Sequence, residues 1–119
     1  RASIVKEREM AGWYELGKNS DGQYKFVLKA GNGEIILVSE LYKAKASAES
    51  GIASVQKNCT LDDRYDKKEA KNGQFYFNLK AANSEIIGTS EMYTSSQSRD
   101  SGINSVKKNG VMKTIKDNT

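Results

Sequence analysis

The chain contains no histidine and only one cysteine, Cys59. Lack of histidine removes the commonest general base and metal ligand. A single thiol cannot form an internal disulfide, so the chain suits a reducing compartment and is read as cytoplasmic. Asn58-Cys59-Thr60 matches a glycosylation sequon. Residues 1–10 carry charges and no apolar core, so no secretory signal is expected and the sequon is coincidental. Long apolar runs are also missing. The longest, Ile35-Ile36-Leu37-Val38, falls far short of the roughly 20 residues a membrane helix needs. No Gly-x-Ser-x-Gly elbow, phosphate loop or dinucleotide fingerprint occurs. Gly31-Asn32-Gly33 is glycine-rich, but it lies where a hairpin turn is needed. These absences exclude the familiar catalytic constellations, and no catalytic residue, cofactor or metal ligand is assigned. The cluster Asp62, Asp63 and Asp66 has the chemistry to hold a hard cation. Alternation along a strand would split it between two faces, which favours a solvated edge.

What the chain does have is a repeat. From Tyr14 to Asn58 and again from Tyr65 to Asn109 one pattern recurs at an offset of about 51 residues without a gap, and about half the aligned positions are identical. The first copy reads GQYKFVLKAGNGEIILVSELY at 22–42, and the second reads GQFYFNLKAANSEIIGTSEMY at 73–93. Such a unit of about 50 residues buries too little surface to be comfortably stable alone. The two copies, 10–60 and 61–119, are therefore expected to share one core and fold as one unit. Residues 1–9 are set aside as an extension or a cloning remnant, with Met10 as the native start.

Within each copy, Tyr24, Phe26, Leu28 and Ala30 alternate with Gln23, Lys25, Val27 and Lys29, and Phe75, Phe77, Leu79 and Ala81 repeat the alternation. A period of two is a half-buried strand. Asn- and Gly-rich turns at 19–22, 31–33, 71–73 and 82–84 bracket these strands, so each unit opens as a three-stranded meander. A helix should follow, capped by Ser47 or Ser98, with Glu49 or Asp100 in its first turn. Ala48, Gly51, Ile52 and Val55 form its apolar stripe, and Gly102, Ile103 and Val106 form the twin. Asn58 and Asn109 would close the helices in the left-handed conformation. Glycine inside a helix costs about 1 kcal/mol relative to alanine, so Gly51 and Gly102 point to close approach of the helix backbone to the sheet. Short extended segments are expected at 60–65 and 111–116.

The residues WYEL at 13–16, FVLKAGNGEII at 26–36, SELY at 39–42 and GIASV at 51–55 resemble the bacterial YegP-like family, as do FNLKAAN and EIIGTSEMY in the second copy. The resemblance runs from about residue 10 to residue 119. It implies an α+β fold: a β3-α-β unit present twice, one joint antiparallel sheet with two helices on one face, and post-helix strands exchanged between the repeats. It implies no activity.

Two sets of residues stand out as functional candidates. If Tyr24, Phe26 and Leu28 face the helices, then Trp13, Lys25, Lys29, Tyr76 and Lys80 lie on the open face, with Glu15 beside them. Aromatics interleaved with lysines on a bare sheet can stack bases and neutralise phosphates. The same face also reads as an ordinary polar surface or an oligomer contact. The second set is Ser39, Glu40 and Tyr42, matched by Ser90, Glu91 and Tyr93. It reads either as the turn into the helix or as a pair of symmetric polar sites. The net charge of +4 permits an anionic partner without demanding one. The expectation is a monomeric, non-enzymatic binding or assembly protein that meets no membrane. Its partner is another protein or an anionic ligand; weak single-stranded nucleic-acid binding, and a small enzyme with an unrecognised site, are the alternatives.

Overall fold

Tyr14 and Leu16 are buried while Trp13 and Glu15 are only half-buried, and this alternation forms β1 (Trp13–Lys18). The computed structural model describes residues 12–119; residues 1–9, set aside above, and Met10 lie outside the described residues. Asn19 turns the chain by accepting the amides of Asp21 and Gln23 through Oδ1. Gly22 then takes φ +81°, where a side chain would be strained. β2 (Tyr24–Lys29) and β3 (Ile35–Ser39) complete the meander. After α1 (Lys45–Asn58) the second copy repeats the plan with β4 (Tyr65–Glu69), β5 (Phe75–Lys80), β6 (Ile86–Thr89) and α2 (Ser96–Asn109). A short β7 (Ile115–Asp117) ends it.

The strands form one sheet in the order β4-β5-β6-β3-β2-β1-β7. The meanders join where β3 meets β6 antiparallel, with Val38 opposite Thr89 and Ser39 opposite Gly88. β7 crosses to the other half and pairs parallel with β1, so the sheet is antiparallel except at that edge. Both helices lie on one face. α1 packs on β2 and reaches β5 and β6; α2 packs on β5 and reaches β2 and β3. Tyr14, Phe26, Leu28, Leu37 and Val55 from one half and Phe77, Leu79 and Val106 from the other are fully buried together. Each such side chain contributes about 1.5–3 kcal/mol on leaving water, and neither half retains that burial alone. No helix among the described residues is long and apolar enough to cross a membrane.

Several local expectations need correction. Residues 60–65 are not a separate strand: the backbone makes a 3-10 turn (Asp62–Arg64), with Leu61 O accepting from Arg64 N, and enters β4 at once. Only the second post-helix strand is therefore a separate exchanged element. The helices begin before Ser47 and Ser98. Ala44 starts α1 without a side-chain cap, and Ser95 Oγ caps α2 by accepting from Ser98 N. Glu49 and Asp100 consequently lie beyond the first turn. Asn58 and Asn109 do not adopt the left-handed conformation. The chain stays right-handed through Cys59 (φ −65°) and Gly110 (φ −65°), while the buried asparagines donate Nδ2 to the carbonyls of Ser54 and Ser105. Gly51 and Gly102 do mark close approach, but to tyrosines rather than to sheet backbone. A Cβ on Gly51 would stand 2.7 Å from Tyr42 Oη, and one on Gly102 would stand 2.6 Å from Tyr93 Cζ.

Candidate binding face

The face away from the helices carries one continuous row of side chains in register. It runs Lys116, Glu15, Val27, Val38, Thr89, Asn78, Asp66 from β7 to β4. The middle of the row is neutral: Val27, Val38 and Thr89 are half-buried, and Asn78 is buried and accepts a 2.8 Å hydrogen bond from Thr89 Oγ1. Charge lies at both ends. Glu15 Oε2 accepts from Trp13 Nε1 at 2.8 Å and pairs with Lys29 Nζ at 3.3 Å. At the equivalent place in the second copy, Asp66 pairs with Lys80 at 3.1 Å and Lys68 at 3.4 Å. The Trp13 hydrogen bond and the Lys29 cation hold the Glu15 carboxyl below its usual range. Lys80, then Lys68, do the same for Asp66. Such partly exposed pairs add at most about 1 kcal/mol each, so their main effect is to fix side chains in place. Lys116 Nζ sits 4.5 Å from the centre of the Trp13 ring, a cation–π contact worth about 0.5–1 kcal/mol at an exposed site.

The sequence candidates fall into two groups on this face. Trp13 stands opposite Lys29 in one charged cluster, and Lys80 belongs to the other. Lys25, exposed, and Tyr76, half-buried, are equivalent positions at the far ends of β2 and β5, opposite Gly17 and Lys68. Sequence reasoning missed Lys116, Lys68 and the pairing role of Asp66. The repeat offset carried a signal for Asp66, since it is the second-copy equivalent of Glu15. Nothing local in the sequence signals that β7 brings Lys116 to Trp13.

Ser39 and Ser90 are occupied within the fold. Each hydroxyl accepts from a β-strand amide, Phe26 N at 2.9 Å and Phe77 N at 3.0 Å, and each donates to the next carbonyl, Glu40 O and Glu91 O. They close the gap where β3 and β6 leave their neighbours. Tyr42 and Tyr93 stack on Phe26 and Phe77 with nearly parallel rings, and burial raises both phenols. Glu40 and Glu91 are exposed. The three acids near β4 are each tied to a base: Asp62 to Lys107, Asp63 to Arg64 and Asp66 to its two lysines. Burial pushes the Cys59 thiol up, and it pushes the Tyr14 and Tyr65 phenols well above their usual value. Those phenols donate 2.6 Å hydrogen bonds to Gly110 O and Cys59 O. Cys59 and Tyr14 are thus held neutral inside the core, and Tyr65 is held neutral half-buried against it.

The family model described as "Domain of unknown function (DUF1508)" matches this chain twice, at residues 19–66 and 70–117. The UPF0339 protein YegP of Escherichia coli strain K12 is 66% identical over 110 residues, covering 92% of this chain and all of that protein. A UPF0339 protein of Acinetobacter baylyi is 68% identical over 92% of this chain and 99% of its own. The solution NMR structure of yegP from E. coli superposes with a TM-score of 0.88 at 65% identity, over 92% of this chain and 95% of that one. That of a UPF0339 protein from Shewanella oneidensis gives 0.86 at 62%, over 91% and 92%.

Proposed function

Because the chain belongs to the UPF0339 family of YegP, whose domain is described as one of unknown function, we propose a function from its own geometry: binding without catalysis, through the open sheet face. The ligand class that fits is single-stranded nucleic acid. The observation that carries this reading is the composition of that face. Its lysines 25, 29, 68, 80 and 116 outnumber the acids Glu15 and Asp66, and Trp13 and Tyr76 stand among them. Base stacking on an aromatic ring contributes about 1–3 kcal/mol per base, while lysines supply a salt-dependent attraction. Neutral, buried Cys59 and Tyr14 and the half-buried, neutral Tyr65 support a role other than nucleophilic chemistry. The single buried thiol suits a reducing cytoplasm, and the internal pseudo-two-fold lets one chain act as a monomer.

Trp13 is the sole tryptophan, so its fluorescence reports directly on this face. Titration with labelled oligothymidylate at low salt should quench it, and added salt should reverse the effect. The Trp13→Ala, Tyr76→Ala double variant should lose most of the affinity measured by the oligonucleotide label. Absence of binding by the unmodified protein would remove nucleic acid as the ligand. Equal binding by the double variant would remove this face as the site.

A further inference from the structure

The two edges of the sheet are equivalent in sequence and unequal in structure. β1 is flanked by β7, through Tyr14 N donating to Thr114 O and Asn118 N donating to Leu16 O, both in parallel register. Side chains reinforce the contact: Gln56 Nε2 donates to Met112 O, Lys45 pairs with Asp117, and Lys116 covers Trp13. β4 is the second-copy equivalent of β1, with Tyr65 for Tyr14 and Lys67 for Leu16. No strand among the described residues pairs with its outer edge. Beneath that edge lies a cavity of about 420 Å³ bordered by Tyr65, Lys67, Asp100, Ile103 and Lys107. The corresponding positions in the first copy are Tyr14, Leu16, Glu49, Ile52 and Gln56, and there the segment 112–118 runs past. Edge and cavity thus outline one place, and the first half shows what fits it.

We propose that the outer edge of β4, with the cavity under it, is an acceptor site for an extended segment of another protein, which adds as a strand parallel to β4. The internal template sets register and chemistry. Residues of the segment should stand opposite Tyr65, Asp66 and Lys67, as Ile115, Lys116 and Asp117 stand opposite Tyr14, Glu15 and Leu16. The first should be apolar, lying at the cavity mouth against Tyr65 and Ile103, as the partly exposed Ile115 lies beside Tyr14. The third should be acidic, meeting Lys67 and competing with Asp100, which pairs with that lysine at 3.3 Å. Lys45, which holds Asp117 in the first copy, has Ser96 as its equivalent here. An apolar-x-acidic strand is therefore the preferred ligand. Main-chain hydrogen bonds give the affinity and the alternate side chains give the selectivity. Tyr65 N already donates to Asp62 O in the 3-10 turn, so the backbone of Lys67 holds the incoming strand. A second copy is the poorer occupant. Its 115–117 segment is engaged on its own β1, and antiparallel pairing of two β4 strands centred at residue 67 would set lysine against lysine, which is unfavourable. The charges along β4 also resist indiscriminate pairing.

The test is titration of the isotope-labelled protein with a synthetic peptide of the sequence Met-Lys-Thr-Ile-Lys-Asp-Asn-Thr, followed by amide NMR. Shifts should cluster at Tyr65, Lys67, Ile103 and Lys107. Lys67→Ala keeps the backbone and should bind within about twofold of the unmodified protein, since the main chain carries the contact. Lys67→Pro removes an amide that antiparallel alternation directs away from β5. Proline is tolerated on edge strands, so this variant should fold and lose the shifts. Should it fail to fold, a spin label on the peptide decides: placed at the N-terminus it should broaden Tyr65 before Glu69 if the strand is parallel. No shifts at millimolar peptide, shifts confined to β1 and β7, or the reverse broadening order would each overturn the proposal. Concentration-dependent dimerisation that shifts the same β4 amides without peptide would make the occupant a second copy and overturn it too.

Discussion

Leu37 and Gly88 occupy the same position in the two repeats and touch each other: a Cβ on Gly88 would stand 2.8 Å from Leu37 Cγ and 3.0 Å from Val38 O. Equivalent residues in contact lie on the pseudo-two-fold axis, where two identical side chains compete for one space. Cys59 and Gly110 repeat the situation at the helix ends, with a Gly110 Cβ placed 2.7 Å from Cys59 Sγ. In both pairs one copy keeps a side chain and the other is glycine. A fused tandem can make that choice; a symmetric dimer of one unit cannot.

Gly88→Leu should therefore destabilise the protein by about 1–3 kcal/mol, the usual cost of overpacking a closed core. Gly88→Leu combined with Leu37→Gly, which exchanges the two residues, should recover part of that loss. Urea denaturation of the single and double variants checks it. Additive losses would mean the two positions do not share one space.

Gly51 and Gly102 lend themselves to a sharper test, because the obstruction at each is chiefly a phenol. Alanine at Gly102 meets the Tyr93 hydroxyl and Cζ, and alanine at Gly51 meets Tyr42 Oη and also Phe26 Cε2. Gly102→Ala should cost about 1–3 kcal/mol, and adding Tyr93→Phe should return a measurable part of it. The same pairing at Gly51 and Tyr42 should recover less, since the Phe26 ring remains. Double-mutant cycles by chemical denaturation give both coupling energies.

Much of this fold was legible in the sequence because the repeat doubled every weak local signal. Strands, turns and the two helices follow from alternation, from Asn-Gly turns and from the Ile52-Val55 and Ile103-Val106 stripes. Helix boundaries were misplaced by the capping rule. Ala44 starts α1 without any side-chain cap, and Ser95 rather than Ser98 serves α2. Tertiary packing of the stripe overrides the local preference of Ser47. The open face was legible as a set of alternating positions, but its ion pairs were not. Lys116 over Trp13 depends on a crossover of about a hundred residues, and no local pattern encodes it. Likewise Ser39 and Ser90 looked like repeated polar sites because the repeat preserves them, yet their hydroxyls are held by strand amides.

Tyr14→Phe and Tyr65→Phe probe the links between halves. Each phenol donates to the carbonyl just past a helix end, Tyr14 to Gly110 and Tyr65 to Cys59. Tyr14 is fully buried and Tyr65 half-buried. Losing the donor leaves a carbonyl unsatisfied, at about 1–3 kcal/mol where water cannot reach it. Tyr14→Phe should therefore be the more destabilising change. Both variants should still unfold in one transition by circular dichroism and tryptophan fluorescence, since the core is shared. A second transition in either would mean the halves are separable.

Stability should be nearly independent of pH from about 5 to 8 and fall on both sides. No histidine is present, so no side chain changes charge across the middle of the range. Above about pH 8 the thiol of the unfolded chain ionises, while burial keeps the folded Cys59 neutral, which lowers stability. Glu15, held low by Trp13 and Lys29, and Asp66, held low by Lys80 and Lys68, behave differently. So does Asp62, bonded to Lys107. A carboxyl whose folded pKa lies below its unfolded value stabilises the fold fully above the unfolded value, about 4. That contribution disappears as pH falls through the folded value. The urea midpoint should thus stay level down to about pH 5 and drop below about pH 4. Glu15→Gln, Asp66→Asn should flatten part of the acid limb, because the replaced groups no longer titrate while Asp62, Asp100 and Asp117, held low by Lys107, Lys67 and Lys45, still do. A step in the midpoint near pH 6.5, or an acid limb unchanged in the double variant, would contradict the assignment of these carboxylates as the groups that titrate with folding.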